Sequence, residues 1–296
     1  MHVPVLLNES IEGLNISPGG VYVDCTTNRG GHSIEIAKAI GHTGTLICLD
    51  LDQEALKAAE ERISSIPNAP KLHFVHSNFR SLKDVLKNLS IERVNGVLAD
   101  LGLSSEELDI SKRGFSFRFD EKLQMTFNSH PGEEDIKAED IVNDWSEESI
   151  ADILYGFADE RYSRKIAKGI VESRKEKRIL TTQQLVDIIS RLVPPSYRHK
   201  KTHFATKTFQ AIRMAVNDEV GSLTELIDSL EDVLVSGGRA CFITFHSTED
   251  RIVKQKFRAL KDSFVLVNKK AIVPKKEEII NNPRARSSQL RIIEKV

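Results

Sequence analysis

Four short polar clusters hold most of the chemistry legible in this 296-residue chain, and each follows an apolar run. The first is VYVDCTTNRGGHS, Val21 to Ser33, where the acid Asp24 leads through Thr26, Thr27 and Asn28 to the pair Gly30-Gly31. A strand, a tight turn of polar residues and glycine, and then a helix present backbone N–H groups and a helix N-terminus to a nucleotide-like ligand. The second cluster closes TLICLDL at Asp50, where a carboxylate can accept both hydroxyls of a ribose. Asp50 could instead cap the next helix, but Asp52 is better placed for that task. The third closes LHFVHSN at Asn78-Phe79, an amide and a ring suited to pairing with and packing on an adenine. The fourth closes VNGVLADL at Asp100-Leu101-Gly102, an acid facing the point where the reactive group of such a ligand would sit.

The turn lacks the G-x-G-x-x-G of a dinucleotide site and the GK[ST] of a P-loop. Set in the frame D-x-G-x-G-x-G it reads Asp24-x-Thr26-x-Asn28-x-Gly30, with only the last glycine kept. Asparagine is the non-glycine residue that most readily takes a left-handed conformation, so Asn28 can still serve the turn. A turn, an acid, an amide-aromatic pair and a second acid at four successive strand ends fit S-adenosylmethionine better than any dinucleotide.

The elements that must position these residues follow from periodicity. Strands are predicted at 21–27, 45–51, 72–78 and 94–101, with helices at 33–40, 53–65 and 81–89 between them. Near-continuous apolar strands alternating with helices imply a parallel sheet covered on both faces, with its ligand edge at the carboxyl ends of the strands. From Arg113 to His203 there is no convincing strand. GFSFRFDEKLQMTFN is aromatic-rich and irregular, and helical patterns follow at 146–157, 160–178 and 181–192, the last closed by Pro194-Pro195. The α/β rhythm then returns, with Gly237-Gly238 marking a turn, RACFITFHS a strand and EDRIVKQKFRAL a helix. SFVLVNKK and SQLRIIEKV form a terminal antiparallel hairpin. The expectation is a Rossmann-like α/β fold with a mostly parallel seven-stranded sheet and an all-helical insertion after the fourth strand. Residues 1–112 and 204–296 would form the core and 113–203 the insert.

Composition excludes several classes. No apolar run approaches the ~20 residues of a membrane span, and MHVPVLLNES lacks the layout of an export signal, so a cytoplasmic location is expected. Cys25, Cys48 and Cys241 each sit in an apolar run without CxxC spacing and read as buried free thiols, and no metal cluster is found. Net charge is −1, yet residues 120–152 hold 11 acids against 2 bases and residues 161–213 hold 14 bases against 3 acids. That segregation is either two solvated faces or the footprint of an anionic partner on the basic part.

The blocks DLGLSSEELD (100–109) and RGFSFR (113–118) carry a more specific resemblance. With HVPVLLNES, GGHS, THFATKTFQAIRMAVNDE, TFHSTEDRIVK and NPRARSSQLR, they resemble the RsmH family, formerly MraW, of bacterial 16S ribosomal RNA cytosine-N4 methyltransferases, from end to end. The resemblance implies a class I S-adenosylmethionine-dependent methyltransferase whose insert recognises the substrate, a decoding-region cytidine of 16S ribosomal RNA within the small ribosomal subunit. It leaves a homodimer open. The implied cofactor contacts are Gly30, Gly31, His32, Asp50, Phe79 and Asp100, with Glu107 where the family usually has glutamine. Other departures are Asn28 for a family glycine and Leu123 to Asn128 for the family's LDMRMD, which loses two acids and an arginine.

The chemistry implied is in-line methyl transfer to an exocyclic amine, a poor nucleophile whose lone pair is delocalised into the ring. A fixed acceptor can orient an N–H and stabilise the charge that develops. Asp100 is the nearest equivalent of such an acceptor, with Ser104 and Ser105 beside it, unless those hydroxyls cap the following turn. Phe115, Phe117 and Arg118 offer planes for a splayed base, although the two rings could equally be the insert's core. Asn217, His246, Arg284 and Arg286 complete the substrate candidates, with structural roles as the alternative for His246. Arg164, Lys165, Lys168, Arg198, Lys200 and Lys201, and the lysines at 269, 270, 275 and 276, are candidates for phosphate contacts. The second reading is a relative that binds RNA or ribosomal subunits with weak, altered or no transfer activity.

Overall fold

The computed structural model describes residues 4–103, 108 and 111–296. The chain forms two compact units, one of Met1–Gly102 with Val220–Val296 and one of Leu103–Glu219.

The first unit is built on one seven-stranded sheet in the order β3-β2-β1-β4-β5-β7-β6. Its strands are β1 (Val21–Asp24), β2 (Thr45–Asp50), β3 (Lys71–His76), β4 (Val94–Asp100), β5 (Leu234–Thr244), β6 (Phe264–Leu266) and β7 (Gln289–Lys295). The first five pair in parallel, while β7 pairs antiparallel with both β5 and β6. Strand order reverses at β1, which lies between β2 and β4, and such a switch point opens a ligand crevice at the carboxyl ends of the strands. This is the Rossmann-like methyltransferase fold. The helices of this first half are α1 (Leu7–Leu14), α2 (Gly31–Ile40), α3 (Gln53–Ser64) and α4 (Leu82–Asn88). Buried apolar residues line both faces of the sheet, Val23, Ile47, Val97 and Phe242 in one cluster and Tyr22, Leu46, Cys48 and Ile243 in the other. Alternation within near-continuous apolar strands therefore feeds two cores at once.

Some predicted bounds move for physical reasons. The strand predicted at 21–27 stops at Asp24, because the Thr26 and Thr27 amides leave the ladder for Asp24 and Leu49. The stretch before it, read only as a family block, forms α1, whose Gly13 fits against Ile292. Gly237-Gly238 lies within β5, not in a turn before it. Gly237 takes φ +77° beside a register shift between Val94 and Gly96, a bulge that an L side chain would strain. The C-terminal hairpin pairs as expected, and its connection holds α13 (Lys276–Asn281), which follows α12 (Ser247–Ala259). All three cysteines are buried free thiols. Among the described residues no helix is long and apolar enough to cross a membrane.

The second unit is helical. It contains α5 (Ala138–Asp144), α6 (Glu147–Ala158), α7 (Ser163–Glu176), α8 (Thr182–Leu192), α9 (Pro195–Arg198) and α10 (Thr206–Val216). It reaches beyond 113–203, because α10 gives Phe209, Ala211 and Ile212 to its core beside Ile141, Leu154, Ile166 and Leu185. α11 (Glu219–Val233) begins at its edge. Charge segregation is partly resolved inside the unit. Arg178 forms a two-pronged pair with Asp144, and Arg213 pairs with Glu219 at 2.6 Å.

Glu160 is fully buried, and its carboxylate accepts the Tyr197 hydroxyl at 2.8 Å and the Tyr162 amide at 2.9 Å. Burial, and then the bond to Glu160, hold the Tyr197 proton well above its ordinary range. Glu160→Ala strands both donors and should lower stability in chemical denaturation by about 3 kcal/mol. A loss below about 1 kcal/mol would show that neither donor depends on Glu160.

Candidate active site

The turn after β1 is held by side-chain oxygens aimed at backbone N–H groups. Asp24 is 1% exposed, and its carboxylate accepts the Ser33 hydroxyl at 2.5 Å and the Thr26 amide at 3.2 Å. The Thr26 hydroxyl accepts the Asp100 amide at 2.7 Å, tying the turn to the end of β4. Asn28 takes the left-handed conformation at φ 47°, which directs its amide to Asp50 at 2.6 Å. Gly30, at φ +78°, caps α2, and a Cβ there would lie 3.0 Å from Ile63, so this position needs glycine on two counts.

Asp50 ends β2 half-buried, with the Asn28 amide on one oxygen and the Asp52 amide on the other at 2.8 Å. Asp52 itself caps α3 through the Glu54 and Ala55 amides. Burial raises both Asp24 and Asp50 to a pKa of about 6, against the hydrogen bonds that pull the other way. Asp100 ends β4, and its Oδ1 is buried without a hydrogen-bond partner among the described residues. Burial, and then the charges of Asp24 and Glu249, hold its pKa well above the ordinary carboxylate range. His32, 5% exposed, sets Nε2 3.1 Å from the Val5 carbonyl and Nδ1 3.6 Å from Asp100 Oδ2. Three acids, a histidine and a left-handed turn thus converge on one sheet edge, a set that can hold hydroxyl and ammonium groups and accept a proton.

The model of the MraW methylase family matches residues 1–296. The ribosomal RNA small subunit methyltransferase H of Clostridioides difficile (strain 630) is 43% identical over 312 residues, covering 100% of this chain and 99% of that protein. The protein of the same name from Acetivibrio thermocellus is 44% identical over 312 residues, with 100% and 99% covered. This chain belongs to the MraW methylase family. Among solved structures, an rRNA methylase from Streptococcus thermophilus is similar at 11% identity and a TM-score of 0.47, covering 100% of this chain and 99% of that one.

In this MraW methylase, Gly30, Gly31, His32, Asp50 and Asp100 belong to the carboxyl edge of the sheet. The residues fit S-adenosylmethionine, the family's methyl donor. Asp50 keeps acceptor capacity beyond its two amides, and Asp100 presents an unpaired buried oxygen. Phe79 follows β3 half-buried and packs against the sheet's core. Asn78 is less free than expected, since its carbonyl accepts the Arg80 amide and its NH₂ donates to Ser222. Ser104, Ser105 and Glu107 lie outside the described residues.

Several substrate candidates have partners within the chain. Phe115 is 5% exposed in the insert's core, stacked on Phe127 with centroids 5.8 Å apart. Phe117 stacks on His203 at 4.3 Å and meets Phe209 edge-on. Asn217 caps α10, accepts the Phe127 amide and donates to the Met125 and Arg213 carbonyls, so its amide group is spent on holding the chain. His246 caps α12, accepting the Glu249 amide at Nδ1, with Nε2 3.1 Å from Glu249 Oε1. A histidine before T-E-D is a capping-box pattern, and that signal was available in the sequence. Arg118 and Arg286 are exposed and Arg284 is half-buried. The roles of Thr26, Ser33 and Glu249 were not expected. Ser33, one turn into a helix that follows an acid-ended strand, could have been inferred.

With Asp50 titrating near 6, its full acceptor form develops only as pH rises through that value. Affinity for S-adenosylmethionine should therefore weaken below pH ~6, approaching tenfold per unit. Calorimetry from pH 5 to 8 checks this, and Asp50→Asn should bind more weakly with a flatter profile. An equal pH dependence in that variant would remove Asp50 as its source.

Proposed function

We propose that this methylase transfers a methyl group from S-adenosylmethionine to N4 of a cytidine in the decoding region of 16S ribosomal RNA, acting on the small ribosomal subunit in the cytoplasm. Family membership supports the reaction class, and relatives named ribosomal RNA small subunit methyltransferase H support the substrate. The observation that carries the chemistry is Asp100, an acid at the end of β4 with an unpaired buried oxygen and a pKa raised by burial.

The donor supplies a methyl group activated on a sulfonium. Asp50 holds the ribose and the turn from Thr26 to Gly31 lines the donor's site, with Phe79 packing beside it. Asp100 accepts a hydrogen bond from the target amine, raises its electron density and takes its proton as the new bond forms. A raised pKa makes Asp100 a stronger base, suited to a group whose acidity appears only once the nitrogen becomes cationic. Substrate RNA is held by exposed cations. Arg164, Lys165, Arg198, Lys200 and Lys201 on the insert, and Arg286 with the lysines at 269, 270, 275 and 276, are exposed and supply that charge.

The reading as a binding-only relative rested on the altered 123–128 block and on Asn28, which takes the left-handed turn conformation and gives its amide to Asp50. In the structure Arg113 donates to the Thr126 and Phe127 carbonyls, and Asn217 holds Met125 and Phe127. Backbone groups carry these bonds, so the segment keeps its place without the family's acids.

Asp100→Ala should lower transfer to small subunits lacking the modification by about 10²–10⁴-fold while leaving the fold intact. Near-normal turnover would remove Asp100 from the mechanism. Methyl incorporation into free RNA and DNA, run beside subunits, tests the substrate assignment. If several of these cations meet phosphates, log affinity for the RNA falls linearly with log salt, losing ~10²-fold or more between 50 and 200 mM. An affinity flat across that range would leave the cations without a role.

A further inference from the structure

Residues Pro4 to Leu6 form a short strap against the turn that carries Gly31 and His32. Pro4 rests on Gly31, where a Cβ would meet its Cγ at 2.6 Å, and the Val5 carbonyl faces His32 Nε2 at 3.1 Å. Val5 and Leu6 are buried in the same apolar cluster as Ile36 of α2. Leu6 opens α1 at φ 52°, a left-handed conformation that a bulky side chain keeps only where its surroundings hold it. One such hold comes from the other end of the chain. The Leu6 amide donates to Glu278 Oε1 at 2.7 Å, across 272 residues of sequence. Glu278 stands half-buried on α13, in the connection between β6 and β7. That connection is anchored on both sides of α13. Ile272 and Leu290 exchange backbone hydrogen bonds at 3.0 and 2.8 Å, and Ala285 is fully buried in the cluster that holds Val5 and Leu6. A carboxylate so placed also lies at the N-terminus of α1, where negative charge is favoured.

We propose that Glu278 is a positioning residue for the methyl donor, fixing Leu6 in its left-handed turn and so keeping Pro4 and Val5 packed on Gly31 and His32. This rests on the placing of the donor at that turn under Proposed function. The link is geometric. With Leu6 returned to negative φ, the residues before it leave in another direction, and the strap comes off the turn. Gly31 then loses the ring that covers it, and His32 loses the Val5 carbonyl. Removing the carboxylate favours that release, because the partly buried Leu6 amide is left without its acceptor. Glutamine at 278 keeps an oxygen that can accept the same amide, and alanine does not. The strap and α13 stand at opposite ends of the sequence, and their meeting is visible only in the fold.

The test compares the full-length parent with Glu278→Ala and Glu278→Gln. Calorimetric titration with S-adenosylmethionine should give a Kd about tenfold higher for Glu278→Ala, and within about threefold of the parent for Glu278→Gln. In turnover on small subunits, KM for S-adenosylmethionine should rise by the same factor in Glu278→Ala while kcat stays within about twofold. A purely structural role would remove active protein, lowering kcat and leaving KM unchanged, and that result overturns the proposal. Hydrogen exchange reads the strap itself. Peptides covering residues 4–10 and 28–36 should exchange faster in Glu278→Ala, with those from β4 and β5 unchanged. Unchanged exchange in the first two segments, or an unchanged Kd in folded Glu278→Ala, also overturns it. A parent that binds no S-adenosylmethionine removes the donor assignment and the proposal with it. That outcome is distinct from a failure of Glu278 alone, in which parent and variant bind equally well. Should Glu278→Ala fail to fold, Glu278→Asp, whose shorter chain draws the carboxylate away from Leu6, takes its place with the same expectations.

Discussion

The carboxylate of Asp24 is where the structure of the catalytic edge begins. Nearly fully buried, it binds the hydroxyl of Ser33 in α2 and the amide of Thr26 in the turn. Thr26 then accepts the amide of Asp100, and Asn28 gives its amide to Asp50. A continuous line of hydrogen bonds so joins the ends of β1, β2 and β4 through one turn. Burying acids this closely is unfavourable, and the raised pKa values of Asp24, Asp50 and Asp100 express that cost. The fold tolerates it because backbone and hydroxyl donors surround two of the three. The third, Asp100, keeps an oxygen unpaired, which is where a demand for a proton is concentrated.

The insert solves a different problem. It must hold an irregular aromatic segment without a sheet, and it does so by burying Phe115, Leu123 and Met125 among helices while Arg113 and Asn217 satisfy the backbone between them. Met125 sits at φ 55°, an uncommon conformation for a long side chain, and flanking hydrogen bonds hold it there. This explains how a segment can change several side chains and keep its course. Charges around it are used the same way. Arg178 with Asp144 and Arg213 with Glu219 remove part of the basic excess from any external partner.

Much of this was legible in the sequence. Near-continuous apolar runs ending in Asp24, Asp50 and Asp100 located three strand ends, and right-handed crossovers then placed them along one edge of a parallel sheet. Asn28 as a left-handed turn residue and Asp52 as a helix cap follow from side-chain chemistry alone. Four substrate candidates admit two readings, for one reason. Phe115, Phe117, Asn217 and His246 carry groups that suit either a ligand or the chain's own packing, and residue type does not distinguish the two. The structure adds the partners each meets within the chain, Phe127, His203, Met125 and Glu249.

The sequence by itself determined the order of strands and helices, the glycine-asparagine turn and the identity of the acids, because these depend on local propensity and on a repeating pattern. Tertiary structure alone decided how those acids are charged. Protonation depends on burial and on neighbours distant in the chain, as Asp100 shows by meeting His32, Asp24 and Glu249 from three other elements. The turn from Val21 to Ser33 therefore names a ligand site in one dimension, and becomes a proton-holding site only when β4 and α12 fold against it.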